Sequence, residues 1–406
     1  MSARAPHPFH YTLLIVPFGA VGGFVGVGLG YLATTRGLTV EDGATLIAVG
    51  MLPHTWKFLW GPVADTTLSR RAWYLLSVAL CAVGVLAMSV VPLEKQNLHL
   101  LQAVIFVTNL ASTTLGMAVE GMMAHLTPED RRGQAGGWFQ AGNLGGNGIG
   151  GGAGLWLLTH LAAPWMAGAV MAAVFAVCAL PLALLPHVGR DAREGGVGAA
   201  MGGVLLDLWG MVRSRSGLFA GILCFLPIST GAAMGVLAQA TVAATWGAGA
   251  DEVGMVNGFL SGVIAAIGCL AGGELCARFD SRKVYAAVGA LMASVAIGMA
   301  LAPLTPATFV GWGLLYAFCT GLAYAAFTGF VLEIIGKTGA ATKYNIFAAL
   351  SNTPITYMGL VLASAATAYG ATGMLYVEAA AGIGGIVLLG VAAMALRERP
   401  RRAAAA

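Results

Sequence analysis

Charge is what this sequence has least of: 9% of its 406 residues are Asp, Glu, Lys or Arg, against 58% that are hydrophobic. No water-soluble domain of ordinary composition approaches that balance, so a large soluble domain is excluded and the lipid bilayer is the first partner expected. The net charge of +4 would point to an acidic partner in a soluble protein. Here the positions of the charges matter more than their sum, and no nucleic-acid partner is expected. The apolar runs also lack the alternation of a barrel strand. They repeat at about 20 residues, the length that crosses a hydrocarbon core as a helix, and in lipid the backbone must satisfy its own hydrogen bonds. The chain is therefore read as an all-α membrane protein.

Paired cysteines are missing too. Cys81, Cys178, Cys224, Cys269, Cys276 and Cys319 lie within or at the ends of apolar runs, with no C-x-x-C and no paired spacing. They read as small core residues, not as disulfides or metal ligands. No motif sets a nucleophile beside a base or a metal, so neither an enzyme nor a cofactor is expected. Gly336-Lys337-Thr338 hints at a phosphate loop, but Val331 stands where its first glycine is required. Without an ATP site, uphill transport must draw on an ion gradient. Gly146-x-Gly148-x-x-Gly151 formally fits a dinucleotide fingerprint, yet no strand precedes it. No cleavable signal is expected either, because the first apolar run, from near Tyr11, is too long and has no clear A-x-A site.

Glycine, by contrast, is abundant, at 59 residues. Spanning helices use small residues to bring backbones together, so the count fits a tightly packed bundle. Spans fall at roughly 11 to 34, 43 to 63, 72 to 92, 98 to 125, 136 to 159, 163 to 186, 217 to 244, 253 to 275, 284 to 303, 307 to 335, 343 to 369 and 372 to 396, about twelve helices in all. Basic residues, from Arg4, Arg70 and Arg71 through Arg131, Arg132, Arg190, Arg193, Arg213, Arg215, Arg278, Arg282, Lys283, Lys337 and Lys343 to Arg397, Arg399, Arg401 and Arg402, crowd one set of loops. The other set holds only Arg36 and Lys95. That bias places both termini in the cytoplasm.

The longest connection, 187–216, separates an N-terminal six-helix bundle, 1–186, from a C-terminal one, 217–406. Within it Val204 to Arg213 reads as a short amphipathic helix lying at the membrane surface. The bundles are pseudo-repeats. Gly61, Arg70 and Arg71 recur at one constant offset as Gly273, Arg282 and Lys283, and Glu120 recurs at nearly the same offset as Glu333. Parallel repeats of six helices are the architecture of many secondary transporters.

One span carries a lysine in its interior. Charge near a bilayer interior costs about 2.5–3.5 kcal/mol, which makes Lys57 a functional candidate by default. Its counterpart in the second repeat is Cys269, so the lysine is not part of the duplicated scaffold. It either lines a central cavity and binds an anionic group of the solute, or snorkels to the interface. His54 lies one turn further in on a nearby face.

Gly61-x-x-x-Asp65 followed by Arg70-Arg71, with its echo at Gly273 to Lys283, resembles the major facilitator superfamily over essentially the full chain. Lys57-Phe58-Leu59-Trp60-Gly61-Pro62-Val63-Ala64-Asp65 with Trp73 following is similar to the signature of the peptide, acetyl-coenzyme A and muropeptide permease group, and Glu120 with Pro128-Glu129-Asp130-Arg131-Arg132-Gly133 resembles its fourth span. Only four residues separate Asp65 from Arg70, and no helices extend beyond twelve, so the solute does not carry over. The resemblance implies a major facilitator fold, uptake toward the cytoplasm, and a latch of loop arginines and acids on the cytoplasmic side. Superfamily antiporters often carry a glycine-and-proline motif in span five, where this chain has no proline; that disfavours drug efflux.

Candidate substrate-binding residues are then Lys57, His54, Trp56, Asn143, Asn147, Tyr344 and Asn352. Asn143 and Asn147 sit one turn apart in a glycine-rich stretch, either facing the cavity or bonding across helices; Tyr344 lies at the start of span eleven and Asn352 in the Asn352-Thr353-Pro354 interruption of it, which either exposes carbonyls to a cavity or is an ordinary kink. Candidates for proton coupling or gating are Glu120, Glu333, Asp65, Arg70, Arg71, Arg278, Asp280 and Arg282. Glu120 reads either as a proton carrier, since a carboxylate taken out of water can cycle between charged and neutral forms, or as a scaffold partner of Arg70 or Arg71; scaffold is favoured because Glu333 repeats it beside Arg278 and Arg282. Asp65 is expected to cap a helix of the opposite half and to break away as the halves rock. Its second copy is imperfect, with Ala277 at the matching position and Asp280 nearby. Glu378 has no account. The expected function is proton-coupled uptake of a small anionic or zwitterionic organic solute, muropeptide-like, acyl-coenzyme A-like or siderophore-like, by a monomer in the bacterial inner membrane. The alternatives are proton-driven efflux of drug-like compounds and a non-transporting receptor or pigment-assembly factor on the same fold.

Overall fold

In the computed structural model the described residues, which are 6–36, 38, 40–190, 196–335, 337 and 339–395, form helices joined by short turns, with no strand among them. Arg4, Arg193, Gly336, Thr338 and the C-terminal arginines lie outside them. Among the described residues eight helices are long and apolar enough to cross a membrane. One of these, Ala340–Ala395, breaks at Gly370 (φ 74°) and so supplies two spans, α11 (340–369) and α12 (371–395). With three shorter, interrupted spans, the total is twelve in two six-helix repeats.

The first six are α1 (Phe9–Gly23), α2 (Val40–Trp56), α3 (Arg70–Val90), α4 (Leu98–Leu126), α5 (Arg132–Gly148) and α6 (Pro164–Ala179). The second repeat has α7 (Arg215–Phe225), α8 (Phe259–Arg278), α9 (Ser281–Leu301) and α10 (Pro306–Ile335) before α11 and α12. Helix starts follow from local chemistry: Ser69 Oγ accepts from Ala72 N at 3.2 Å to cap α3, and Asp280 accepts from Arg282 N at 3.0 Å to cap α9. Between the repeats runs a helix, Gly196–Arg213, longer than the amphipathic segment expected from sequence. Leu205, Leu206, Trp209 and Val212 stand exposed along it at helical spacing.

The interruptions have identifiable causes. After α2 the backbone leaves helical geometry at Trp56 (φ −127°, ψ 17°), makes a tight turn over Lys57–Leu59, and restarts as Gly61–Thr66. Pro62 has no N–H for the carbonyl one turn back. α5 loosens into a wider turn at Ile149–Ala153 amid glycines. α7 stops at Phe225, and residues 226–231 are not helical, with Ser229 at φ 54° and Gly231 at φ 72°.

Close backbone approach explains the glycines. A Cβ on Gly150 would lie 1.9 Å from Ala20 O, which fixes α1 against the continuation of α5. One on Gly137 would lie 2.6 Å from Cys269 O and 2.6 Å from Gly273 Cα, so α5 of the first repeat packs backbone to backbone on α8 of the second.

Candidate functional site

At the end of the bundle that carries the loop arginines, Asp65 reaches across to the second repeat. Its Oδ2 accepts from Thr342 N at 3.0 Å and from Thr342 Oγ1 at 2.8 Å, and its Oδ1 from Ala341 N at 3.3 Å. These are orphan groups of the first turn of α11, where a carboxylate also meets the positive end of the helix dipole. Arg70 completes the site from the same repeat, 3.3 Å from Asp65 Oδ1. Gly61 permits the crossing, because a Cβ there would lie 2.9 Å from Thr342 Cα.

Above this contact lies a cavity of about 210 Å³ between the repeats. Lys57, held in the tight turn after α2, enters it with only 7% of its surface exposed, and its Nζ lies 5.9 Å from the centre of the Phe18 ring. Glu120 enters from α4; a Cβ on Gly116 would be 3.2 Å from the Phe18 ring and 3.9 Å from Glu120 Oε1, so ammonium and carboxylate flank one aromatic ring. Glu120 Oε2 accepts from Asn345 Nδ2 of α11 at 2.6 Å, and Gln140 of α5 donates to Thr328 Oγ1 of α10 at 2.8 Å. Both hydrogen bonds cross between the repeats. His54 is bonded to Asn109 Oδ1 at 3.2 Å.

Of the residues chosen from sequence, His54, Lys57, Asn143, Tyr344 and Asn352 line the cavity. Trp56 does not: it is 39% exposed and packs edge-on against Trp60, because the backbone leaves helical geometry at this residue before the tight turn that carries Lys57. Asn147 lies against α1 instead, its Nδ2 3.5 Å from the Cβ position of Gly22. Glu120 belongs to the cavity rather than to the loop arginines; Arg70 packs over Gly121 instead, and Arg71 donates to Leu182 O at 2.6 Å. In the second repeat Glu333 accepts from Ser281 Oγ at 2.7 Å, Arg278 pairs with Glu274 at 2.7 Å, Arg282 lies over the rings of Phe219 and Phe330, and Asp280 caps its own helix. Among the described residues no copy of the Asp65 contact is built there. Sequence reading passed over Asn345, Gln140 and the broken stretch of α7, although Pro227 and Gly231 four residues apart in an apolar run were a signal for the break.

Two six-helix repeats enclosing a polar cavity and joined at one end by hydrogen bonds define a membrane transporter of small solutes. The chain belongs to the Major Facilitator Superfamily, whose family model matches residues 11–353; members of that family are transporters rather than enzymes. It is 25% identical over 354 residues, 83% of this chain and 70% of the relative, to the anhydromuropeptide permease of Escherichia coli K12. Among solved structures it resembles the transporter FucP in its outward conformation (TM-score 0.70, 18% identity, covering 95% of this chain and 98% of that one). It also resembles a bacterial homologue of the iron transporter ferroportin in an outward-facing state (TM-score 0.64, 17% identity, 97% and 100% covered).

Proposed function

We propose that this protein is a secondary active transporter that takes up a small anionic or zwitterionic organic solute across the bacterial inner membrane, driven by protons. The single observation that carries the reading is Lys57: a buried ammonium facing a cavity between two halves that otherwise share one scaffold. An unpaired cation there is costly, and an anionic group of the solute offsets that cost. Glu120 beside Phe18 is the proton carrier in this reading, since it shares the cavity with Lys57 and hydrogen-bonds across the halves. The bundles 1–186 and 217–406 rock about the cavity, linked by 187–216, as a monomer with both termini cytoplasmic. On that orientation the Asp65 contact closes the cytoplasmic end. The anhydromuropeptide permease of E. coli supports a muropeptide-like solute among the anionic candidates.

The test is uptake of labelled anhydromuropeptide into vesicles with an imposed inward proton gradient. Uptake collapses in Lys57→Ala if the reading is right. Undiminished uptake by that variant refutes the role assigned to Lys57.

A further inference from the structure

The cavity wall is chemically divided. Among the described residues its ammonium, carboxylate and imidazole groups, from Lys57, Glu120 and His54, all come from the first repeat. The second repeat contributes hydroxyls, phenols, an amide and apolar groups, among them Ser229, Tyr324, Phe327 and Asn352. Ser229 is the informative one. It sits in the unwound stretch that follows α7, at φ 54°, a conformation non-glycine residues avoid and which persists where the surroundings impose it. Its Oγ is buried with no hydrogen-bond partner among the described residues. The break is built to last: Tyr285 Oη donates to Ile228 O at 2.7 Å and Tyr357 Oη to Phe225 O at 2.8 Å, which satisfies carbonyls that the lost helix would otherwise orphan.

A charged group against this wall would be desolvated without a counter-charge. A wholly apolar group would leave the Ser229 hydroxyl unpaired. We propose that the wall formed by Ser229, Tyr324 and Phe327 is a second subsite, which holds an uncharged hydroxylated ring of the solute. The Phe327 ring covers the C–H face of the solute ring, and Ser229 Oγ and Tyr324 Oη each take one ring hydroxyl. The proposal rests on the reading of Lys57 as the anion-binding group and adds what lies opposite it: the solute is a ring bearing a separate acidic arm.

Calorimetry on the purified full chain, with three probes, separates the two subsites. The probes are N-acetylmuramate, which has both ring and acid, N-acetylglucosamine, which has the ring alone, and D-lactate, which has the acid alone. Ser229→Gly removes the hydroxyl at a backbone position glycine adopts freely, so its fold is safe, and Tyr324→Phe removes only a phenol oxygen. Both variants weaken the two sugars by the same factor, roughly two- to tenfold for one neutral hydrogen bond, and leave D-lactate unchanged. Lys57→Met weakens N-acetylmuramate and D-lactate but not N-acetylglucosamine. Unaltered sugar affinity in both Ser229→Gly and Tyr324→Phe overturns the subsite, and so does failure of N-acetylglucosamine to bind the wild type. Insensitivity of D-lactate to Lys57→Met sinks the anion reading instead and leaves the ring subsite standing.

Discussion

The Asp65 carboxylate and the Thr342 hydroxyl, 277 positions apart in the chain, meet at 2.8 Å, and with the first-turn amides of α11 they tie the two repeats together at one end. Removing the carboxylate leaves those amides without their acceptor, a loss of about 1–3 kcal/mol for charge-assisted bonds of this kind, or roughly five- to 150-fold in the opening equilibrium. Cys276 is a built-in reporter, because its Cβ lies 2.5 Å from the Cβ position of Gly133 on the opposite repeat. Asp65→Ala is expected to speed maleimide labelling of Cys276 by that factor, while Cys81 and Cys224, buried inside single repeats, keep their slow rates. Equal acceleration at all three would mean general unfolding and not opening.

Much of this was legible in the sequence, for physical reasons that also mark where legibility stops. Apolar run length locates the spans because lipid leaves the backbone no alternative to a helix, and Gly370 at φ 74° sits where the loop between the last two was expected. The lysine stood out because burying a charge is costly anywhere. Direction around a helix is harder to read. Glu120 and Gly121 are neighbours, yet one turns into the cavity and the other lies under Arg70, so sequence spacing alone does not separate an acid that faces the cavity from one that partners the loop arginines. Asp280 occupies a loop much like that of Asp65 but spends its carboxylate on its own helix, because the matching loop position is Ala277.

Glu120→Gln keeps the acceptor oxygen that Asn345 Nδ2 reaches at 2.6 Å and removes the exchangeable charge. With Glu120 as proton carrier, the variant is expected to exchange solute across vesicles at near-normal rates when no proton gradient is imposed. Its uptake no longer rises when a gradient is added. Full gradient response in Glu120→Gln would move proton coupling elsewhere.

Two glycines distinguish packing within a repeat from packing between repeats. Gly150→Ala would place a methyl 1.9 Å from Ala20 O, inside the first repeat, and overpacking of that kind costs about 1–3 kcal/mol. Its apparent melting temperature is expected to fall. Gly137→Ala meets Cys269 O at 2.6 Å across the repeats, and rigid-body separation relieves the clash. Its melting temperature therefore falls less, while Cys276 labelling rises as in Asp65→Ala. Gly311→Ala, with nothing within 4 Å, is the neutral control.

Glu378, in α12, accepts a hydrogen bond on Oε1 from Tyr316 Oη of α10, while its Oε2 is buried without a partner. It lies away from the cavity, so its place in the fold is that of a tie between two helices of the second repeat. An acid held this way is tolerated only while its donor remains. Glu378→Gln keeps an acceptor for Tyr316 and drops the ionisable group, so its apparent melting temperature and its transport are both expected to match the wild type. Tyr316→Phe leaves the carboxyl with no donor and is expected to destabilise by about 1–3 kcal/mol. In a Glu378→Leu background the same tyrosine change should cost far less, because the group it served is gone. Loss of transport in Glu378→Gln at an unchanged melting temperature would contradict the tie and make Glu378 a working proton site.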